Sequence, residues 1–473
     1  MTLGGQARLG APVAGDGLWN PGRVVRRTDT ETQSLANILN LVRTGATSTR
    51  QAIEAETGLG RAIVAERVAT LIGHKLLEEG ELGSTAGGRP PRTIRFSDGT
   101  GVILLATIGQ STISIGIAEL SGRLLAEHHE PLDPAPSADQ LVKRLGTLFD
   151  WVLEQHKGGR SVWGIGIALS GPVDAKDGQP FRSPIFNVLP SLSGYPFVER
   201  LAVRYQAPVW VRNKVHMTTL GELRAGSSES ASASDLLFVE LGAEINAGLI
   251  SGGRLHRGFQ GSAGMIGHIQ VDKGQQTVCR CGNAGCLETV AGGDAIARAG
   301  LEAAKSGRSR ILADLLAQNG ELTAADVGSA SHLGDPASSE ILSRCGRLIG
   351  TVVAALATAI NPTVIVLGGV VAQTSDIPLA TIRETIYRCA HPLVTRDLRI
   401  LRSQMSSSAG LVGLAFGVVE ELFAAETLVA WIGCGSPLQH PDTKVQLQNA
   451  EAVLERADQI QPAPPAQSNR GTK

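Results

Sequence analysis

Apolar residues recur along this chain with two different periods, and the change between them falls near residue 100. From 30 to 97 the period is helical. Leu35, Ile38, Leu39 and Val42 lie three or four apart and predict one buried helix face. Ser48 or Thr49 is placed to cap a second helix that stops at Gly58, where "GLG" at 58–60 makes a tight turn. A third helix is predicted from about Arg61 to Ile72, with Ile63, Val64, Val68, Leu71 and Ile72 facing inward. The stretch HKLLEEGELGSTAGGRPPRTIRF then reads as strand, glycine-rich tip, strand. Two helices joined by a short glycine turn make a helix-turn-helix, and the hairpin after them makes a wing.

Beyond residue 100 strands and helices alternate. GVILLATIGQSTISIGIAELSGRLLAEHHEP reads as three strands with a glycine at the first bend, and DLLFVELGAEINAGLISGGRLHRG at 235–258 repeats the plan. Further buried strands, SVWGIGIAL and PTVIVLGG, follow the two copies. Two similar α/β lobes with a cleft between them are the economical reading. A helix near 336–360 carries Ile341, Leu342, Cys345, Leu348, Ile349, Val352, Val353, Leu356 and Ile360 at helical spacing, a core stripe. The expected organisation is a flexible arm at 1–29, a winged helix-turn-helix at 30–97, a two-lobed α/β domain at 100–430, and a disordered tail from 440 to 473, where Gln, Ala and Pro accumulate.

Net charge over 473 residues is −1, which predicts no bulk attraction to nucleic acid or membrane. Locally the picture differs. Residues 23–97 hold eleven Arg or Lys against eight Asp or Glu, a net of +3. Arg50 and Arg61 sit near the starts of the second and third helices, Arg67 lies on the third, and Arg89 stands between Gly88 and Pro90 at the wing tip. These four are the candidate DNA contacts, and an arginine on a thin loop suits a narrow minor groove. A single winged module has a small interface, so a homodimer, or a dimer of dimers, on an inverted repeat of double-stranded DNA is expected. No apolar run approaches the 18 or so residues of a membrane span, and the first residues do not read as a signal peptide, so the expected location is cytoplasmic.

Half of the six cysteines fall within TVCRCGNAGCLETV, as Cys279, Cys281 and Cys286. Clustered reduced thiols point to metal, and zinc prefers four nitrogen or sulfur ligands. His268, eleven residues before Cys279, is the nearest fourth ligand. A site of three cysteines and one histidine has no open position and is structural. Cys345, Cys389 and Cys434 stand alone among apolar neighbours and are expected in the core.

GHIQVDKGQQTVCRCGNAGCLE resembles the zinc signature of the ROK family of repressors, open reading frames and kinases, and GRPP after a winged helix resembles its repressor branch. The resemblance covers roughly residues 30–425. It implies an actin-like, sugar-kinase fold of duplicated RNase H-like lobes, with sugar bound in the cleft and, in the kinase branch, phosphorylated by ATP. The kinase positions are altered. The family's D-x-G-G-T is similar to TIGQS here, with Thr107 in place of the aspartate. G-T-G becomes Gly242-Ala243-Glu244, and Asn-Asp becomes Asn213-Lys214. A lysine near its ordinary pKa of about 10.4 is no general base at neutral pH. The resemblance places Asn187, Asn213, Lys214, His268 and Glu288 at sugar-contacting positions, while Met265 replaces a family glutamate. The expected ligand is a small carbohydrate or an anionic sugar derivative: Lys214 would suit the phosphate or carboxylate of the latter, or else pair with Glu244 or Glu288. The reading is a sugar-responsive transcriptional regulator, a repressor, with a non-enzymatic kinase domain and a structural zinc. The alternative is an active sugar kinase carrying a DNA-binding domain.

Overall fold

Thr49 sets the first boundary of the fold. In the computed structural model, which describes residues 30–82, 92–133, 136–156, 158–173, 189–272, 274, 277–405 and 407–459, its hydroxyl accepts from the Ala52 amide at 3.2 Å and caps α2 (Arg50–Thr57). Gly58 closes that helix in the left-handed conformation, φ 69°. With α1 (Thr30–Arg43) before it and α3 (Arg61–Gly73) after it, this is the expected trihelical unit. The strands β1 (Leu77–Leu82) and β2 (Arg92–Phe96) pair antiparallel as the wing. Its tip, with Arg89, lies outside the described residues, as do the arm at 1–29 and Asn187.

The large domain holds two five-stranded sheets built to one plan. The first uses β3 (Gly101–Ile108), β4 (Thr112–Glu119), β5 (Leu124–Pro131), β6 (Ser161–Leu169) and β7 (Val209–Asn213), in the order β5-β4-β3-β6-β7. The second uses β8 (Leu236–Leu241), β9 (Ile245–Ser251), β10 (Arg254–Leu255), β11 (Val364–Gly368) and β12 (Arg399–Arg402), in the order β10-β9-β8-β11-β12. In each sheet the hairpin strands pair antiparallel and the last two strands join parallel. This is the expected duplication. The parallel strands read as continuous apolar runs because helices cover both faces. In the first lobe α4 (Ala138–His156) and α5 (Phe197–Tyr205) cover one face, and the helix Ser408–Leu422 covers the other.

Two helices cross between the lobes, α6 (Lys214–Ala225) and Ser408–Leu422. Glycine lets them approach. A Cβ on Gly413 would lie 1.7 Å from the Met217 carbonyl oxygen, and one on Gly221 1.9 Å from that of Ala409. The helix Pro336–Ile360 is long and apolar enough to cross a membrane by composition, yet Ile341, Leu342, Cys345, Ile349 and Val353 are buried in the core of the second lobe.

The winged module is not a separate bead. Leu35, Ile38, Leu39, Val64, Leu71 and Ile94 share one apolar core with Trp163, Phe423 and Trp431 of the large domain. Phe96 meets Phe423 edge-on with ring centres 5.7 Å apart, and Trp163 meets Trp431 at 5.4 Å. The Asn40 amide donates to the Phe423 carbonyl at 3.4 Å.

Three expectations need correction. Residues from 440 were expected to be disordered, but Pro441–Gln459 is a helix lying on α5, with Leu447 packed against the core of the first lobe. Its few apolar residues suffice because the facing surface supplies the rest. Cys345 is buried as expected, whereas Cys389 and Cys434 are exposed. Ile63, expected inward, is 42% exposed, because its neighbour Val64 occupies the core position.

Candidate functional site

The metal cluster forms over a short reach of chain. His268 ends a short 3-10 turn, Ile266–His268, and isolated bridges join Gln270 to Cys286 and Val278 to Ala284. Gly285, at φ 71°, brings the chain so near Asp272 that a Cβ would fall 1.8 Å from its carbonyl oxygen. The result gathers the ligand atoms of His268, Cys279, Cys281 and Cys286 within 4.8 Å of one another. His268 Nδ1 lies 3.3 Å from Cys279 Sγ, and the sulfurs of Cys281 and Cys286 lie 3.6 Å apart. Zinc–sulfur bonds of about 2.3 Å in a tetrahedron put ligand edges at roughly 3.8 Å, so the donor set fits that ion. Burial and the neighbouring thiols push Cys286 up to about 12, whereas at Cys281 burial is outweighed by hydrogen bonds from Asn283 and the neighbouring thiols, which hold it below its ordinary value, so binding a cation there is coupled to loss of the remaining thiol protons.

Cys286 also stands immediately before the helix Leu287–Ala291, whose second residue is Glu288. Sequence reasoning missed the residue between the first two cysteines. Arg280 Nη2 lies 3.1 Å from Glu244 Oε1 and 3.2 Å from Glu288 Oε1. Arg280 and Cys281 are the central residues of a turn closed by the Gly282 amide on the Cys279 carbonyl at 2.8 Å, and no local signal in the sequence marked Arg280 for this role. The Ile245 amide donates to Glu288 at 3.3 Å, while burial pushes the Glu288 carboxyl up against the pull of Arg280.

Glu244, at the turn between β8 and β9, is buried and fully partnered. It accepts from Gln110 Nε2 at 3.1 Å and from Asn246 Nδ2 at 2.9 Å, besides Arg280. Gln110 belongs to the turn between β3 and β4, so this bond spans the two lobes. Lys214, the first residue of α6, pairs with Glu240 Oε1 of β8 at 2.5 Å. Glu240 was not foreseen as its partner. Burial opposes the charge on Lys214, but Glu240 outweighs it and holds the ammonium above its ordinary value. Asn213 caps α6 by accepting from the His216 amide at 3.1 Å, and its amide donates to the Gly171 carbonyl at 2.8 Å. Thr107 is buried, with its methyl 3.0 Å from where a Cβ on Gly410 would lie. It meets the crossing helix Ser408–Leu422.

The cleft side of these hairpins therefore carries three carboxylates, Glu240, Glu244 and Glu288, against two cations, Lys214 and Arg280. The carboxylates already hold the cations. Lys214 takes a structural pairing, with Glu240 in place of Glu244 or Glu288, so an anionic ligand would have to displace that carboxylate.

On the winged module the three described arginines of the candidate set part company. Arg61 is exposed at the start of α3 and makes no ion pair with a described residue. Arg50 pairs with Glu79 at 3.0 Å, which Arg92 also holds at 2.6 Å. Arg67 is largely covered and tied to Glu31 of α1 at 2.7 Å and to the Ser34 hydroxyl at 3.3 Å. It braces α1 against α3 and is not a free surface cation, which corrects its place among the DNA contacts.

The model of the family described as "ROK family" matches residues 106–421. The DNA-binding transcriptional dual regulator NagC of Escherichia coli is 27% identical over 417 residues, covering 88% of this chain and 96% of that protein. A glucokinase of Halalkalibacterium halodurans is 28% identical over 307 residues, covering 65% of this chain and 91% of the glucokinase. A solved ROK-family transcriptional regulator, a homologue of the Escherichia coli Mlc protein, superposes with a TM-score of 0.70 at 24% identity, over 85% of this chain and 98% of its own. The similarity to the regulators thus spans 85–88% of this chain, whereas that to the glucokinase spans 65%.

Proposed function

This chain belongs to the ROK family, and from that premise we propose that it is a sugar-responsive transcriptional repressor whose kinase-like domain senses and does not phosphorylate. The observation that carries the reading is the single apolar core joining the winged module to the crossing helix Ser408–Leu422 and the helix Ala425–Ile432 that follows it. A DNA-binding module packed this way moves with the lobes that frame the cleft. α6 supplies the path. Its first turn holds Asn213 and Lys214 at the cleft, and near its far end Arg224 pairs with Glu420 at 2.7 Å. Glu420 also faces the half-buried Arg43 of α1, whose guanidinium burial brings down to about 10.

His268, Cys279, Cys281 and Cys286 hold one structural zinc, which supplies no chemistry beyond fixing this loop. Arg280 and Glu288 are thereby fixed as a unit. Glu288, His268 and the free edge of the Asn213 amide offer hydrogen bonds to sugar hydroxyls. A cleft with one excess negative charge favours a neutral sugar over a sugar phosphate. Two chains bind an inverted repeat as a dimer.

Phosphoryl transfer lacks its parts. Glu244 puts a carboxylate at the phosphate loop, Thr107 carries no charge for a metal, and the cationic Lys214 cannot take a proton from the sugar. A coupled assay of ATP consumption over a panel of neutral hexoses, pentoses and N-acetyl sugars is expected to stay at background. Turnover that needs a sugar and disappears in Asn213→Ala would instead establish the kinase.

A further inference from the structure

The recognition helix is unusual in what it leaves exposed. Along α3 the solvent face is Arg61, Ala62, Ile63, Ala65, Glu66 and Ala69. Val64, Val68 and Leu71 are fully buried beneath it. Arg67 is drawn back to Glu31, and the Thr70 hydroxyl donates to the Glu66 carbonyl at 3.1 Å. No Asn or Gln lies on the helix, so the bidentate reading of adenine is absent, and Arg61 at the first position is the one exposed arginine. What remains is a short-side-chain surface with one large apolar group, Ile63, standing 42% exposed. Alanines at 62, 65 and 69 share a face and let the helix axis approach its target closely.

Resting on the DNA-binding reading above, we propose that α3 reads thymine 5-methyl groups in the major groove, with Ile63 as the principal contact. The thymine methyl is the apolar feature of the groove, and apolar side chains are what recognise it. The basic surroundings fit this occupant. Arg61 is exposed at the N-terminal end of α3, Arg95 on β2 is exposed, and the Gly60 cap leaves the first amides of α3 without a side-chain acceptor, as a phosphate requires. Glu66, 65% exposed at its side chain, faces the same groove and repels the acceptor edge of guanine, which disfavours G at the adjoining step.

The test uses the full-length protein. Duplexes are first selected from a random library, and affinities for the selected sequence are then measured by fluorescence anisotropy. Each thymine of a half-site is next replaced by deoxyuridine, which removes only the methyl. At the thymines facing Ile63, uracil is expected to weaken binding about fourfold, one buried carbon at ~0.8 kcal/mol. In Ile63→Ala the same replacement is expected to change affinity less than twofold, with the melting temperature unchanged because the side chain is exposed. Equal binding of the thymine and uracil duplexes by the unmodified chain would overturn the proposal. So would full uracil sensitivity in Ile63→Ala. Specific selection with either result leaves the DNA-binding reading standing, whereas no selection above background removes that reading and this contact together.

Discussion

Cys286→Ser is expected to reduce bound zinc from one ion per chain to none and to abolish the response to sugar, while operator binding persists. Cys286 is fully buried, its sulfur lies 3.6 Å from that of Cys281, and it directly precedes the helix that carries Glu288. Structural zinc sites of this kind contribute about 10–16 kcal/mol of apparent binding energy at neutral pH, so losing one of four ligands lowers affinity by orders of magnitude. Arg280 sits between two of the ligands and holds Glu244 and Glu288 together, so a loosened loop frees both carboxylates at once. The apolar core of the winged module contains none of the metal ligands, which is why DNA binding should survive. Cys345→Ser is the control. That thiol is buried on Pro336–Ile360, outside the metal cluster, and the variant should keep its zinc. Metal analysis and gel shifts with and without sugar check both. Zinc retained by Cys286→Ser would remove this residue from the site.

Trp431→Ala should give the largest loss of stability of any single substitution at the junction of the two modules. The indole is 1% exposed, packs against Trp163 and Phe423, and donates its N–H to the Leu422 carbonyl at 2.9 Å. Truncating a buried tryptophan costs about 3–5 kcal/mol. The cavity lies in the core that also holds Leu39, Leu71 and Ile94, so the winged module should loosen with it. Urea denaturation gives the energy, and hydrogen exchange of α1 and β2 reports the coupling. Protection of those elements unchanged in Trp431→Ala would mean that the winged module folds independently of the sensor.

Local signals made part of this legible from sequence. The Thr49 cap and the Gly58 stop lie within a few residues of what they control, and the metal ligands fall in one short segment, so spacing alone gathered them. The two sheets were recognisable because each opens with a hairpin bent at glycine. The ion network was not legible. Lys214 and Glu240 come from α6 and β8, and Gln110 reaches Glu244 across 134 residues and two lobes. Nothing local marks such pairs. Ile63 misled for a different reason. An apolar residue beside a true core position keeps the helical period, and periodicity cannot separate a buried isoleucine from one turned toward a partner. The helix Pro441–Gln459 was hidden by its polar composition, since the surface that orders it belongs to α5.

Sugar binding in this cleft should alter DNA binding without phosphoryl transfer. The most direct measurement is operator affinity by fluorescence anisotropy with each of a panel of neutral sugars, on the unmodified chain and on Glu288→Gln. At least one sugar should weaken operator binding about tenfold or more, in the usual range of allosteric coupling, and Glu288→Gln should lose that response while binding the operator as before. Operator affinity unmoved by every sugar, together with sugar-dependent consumption of ATP, would contradict the account.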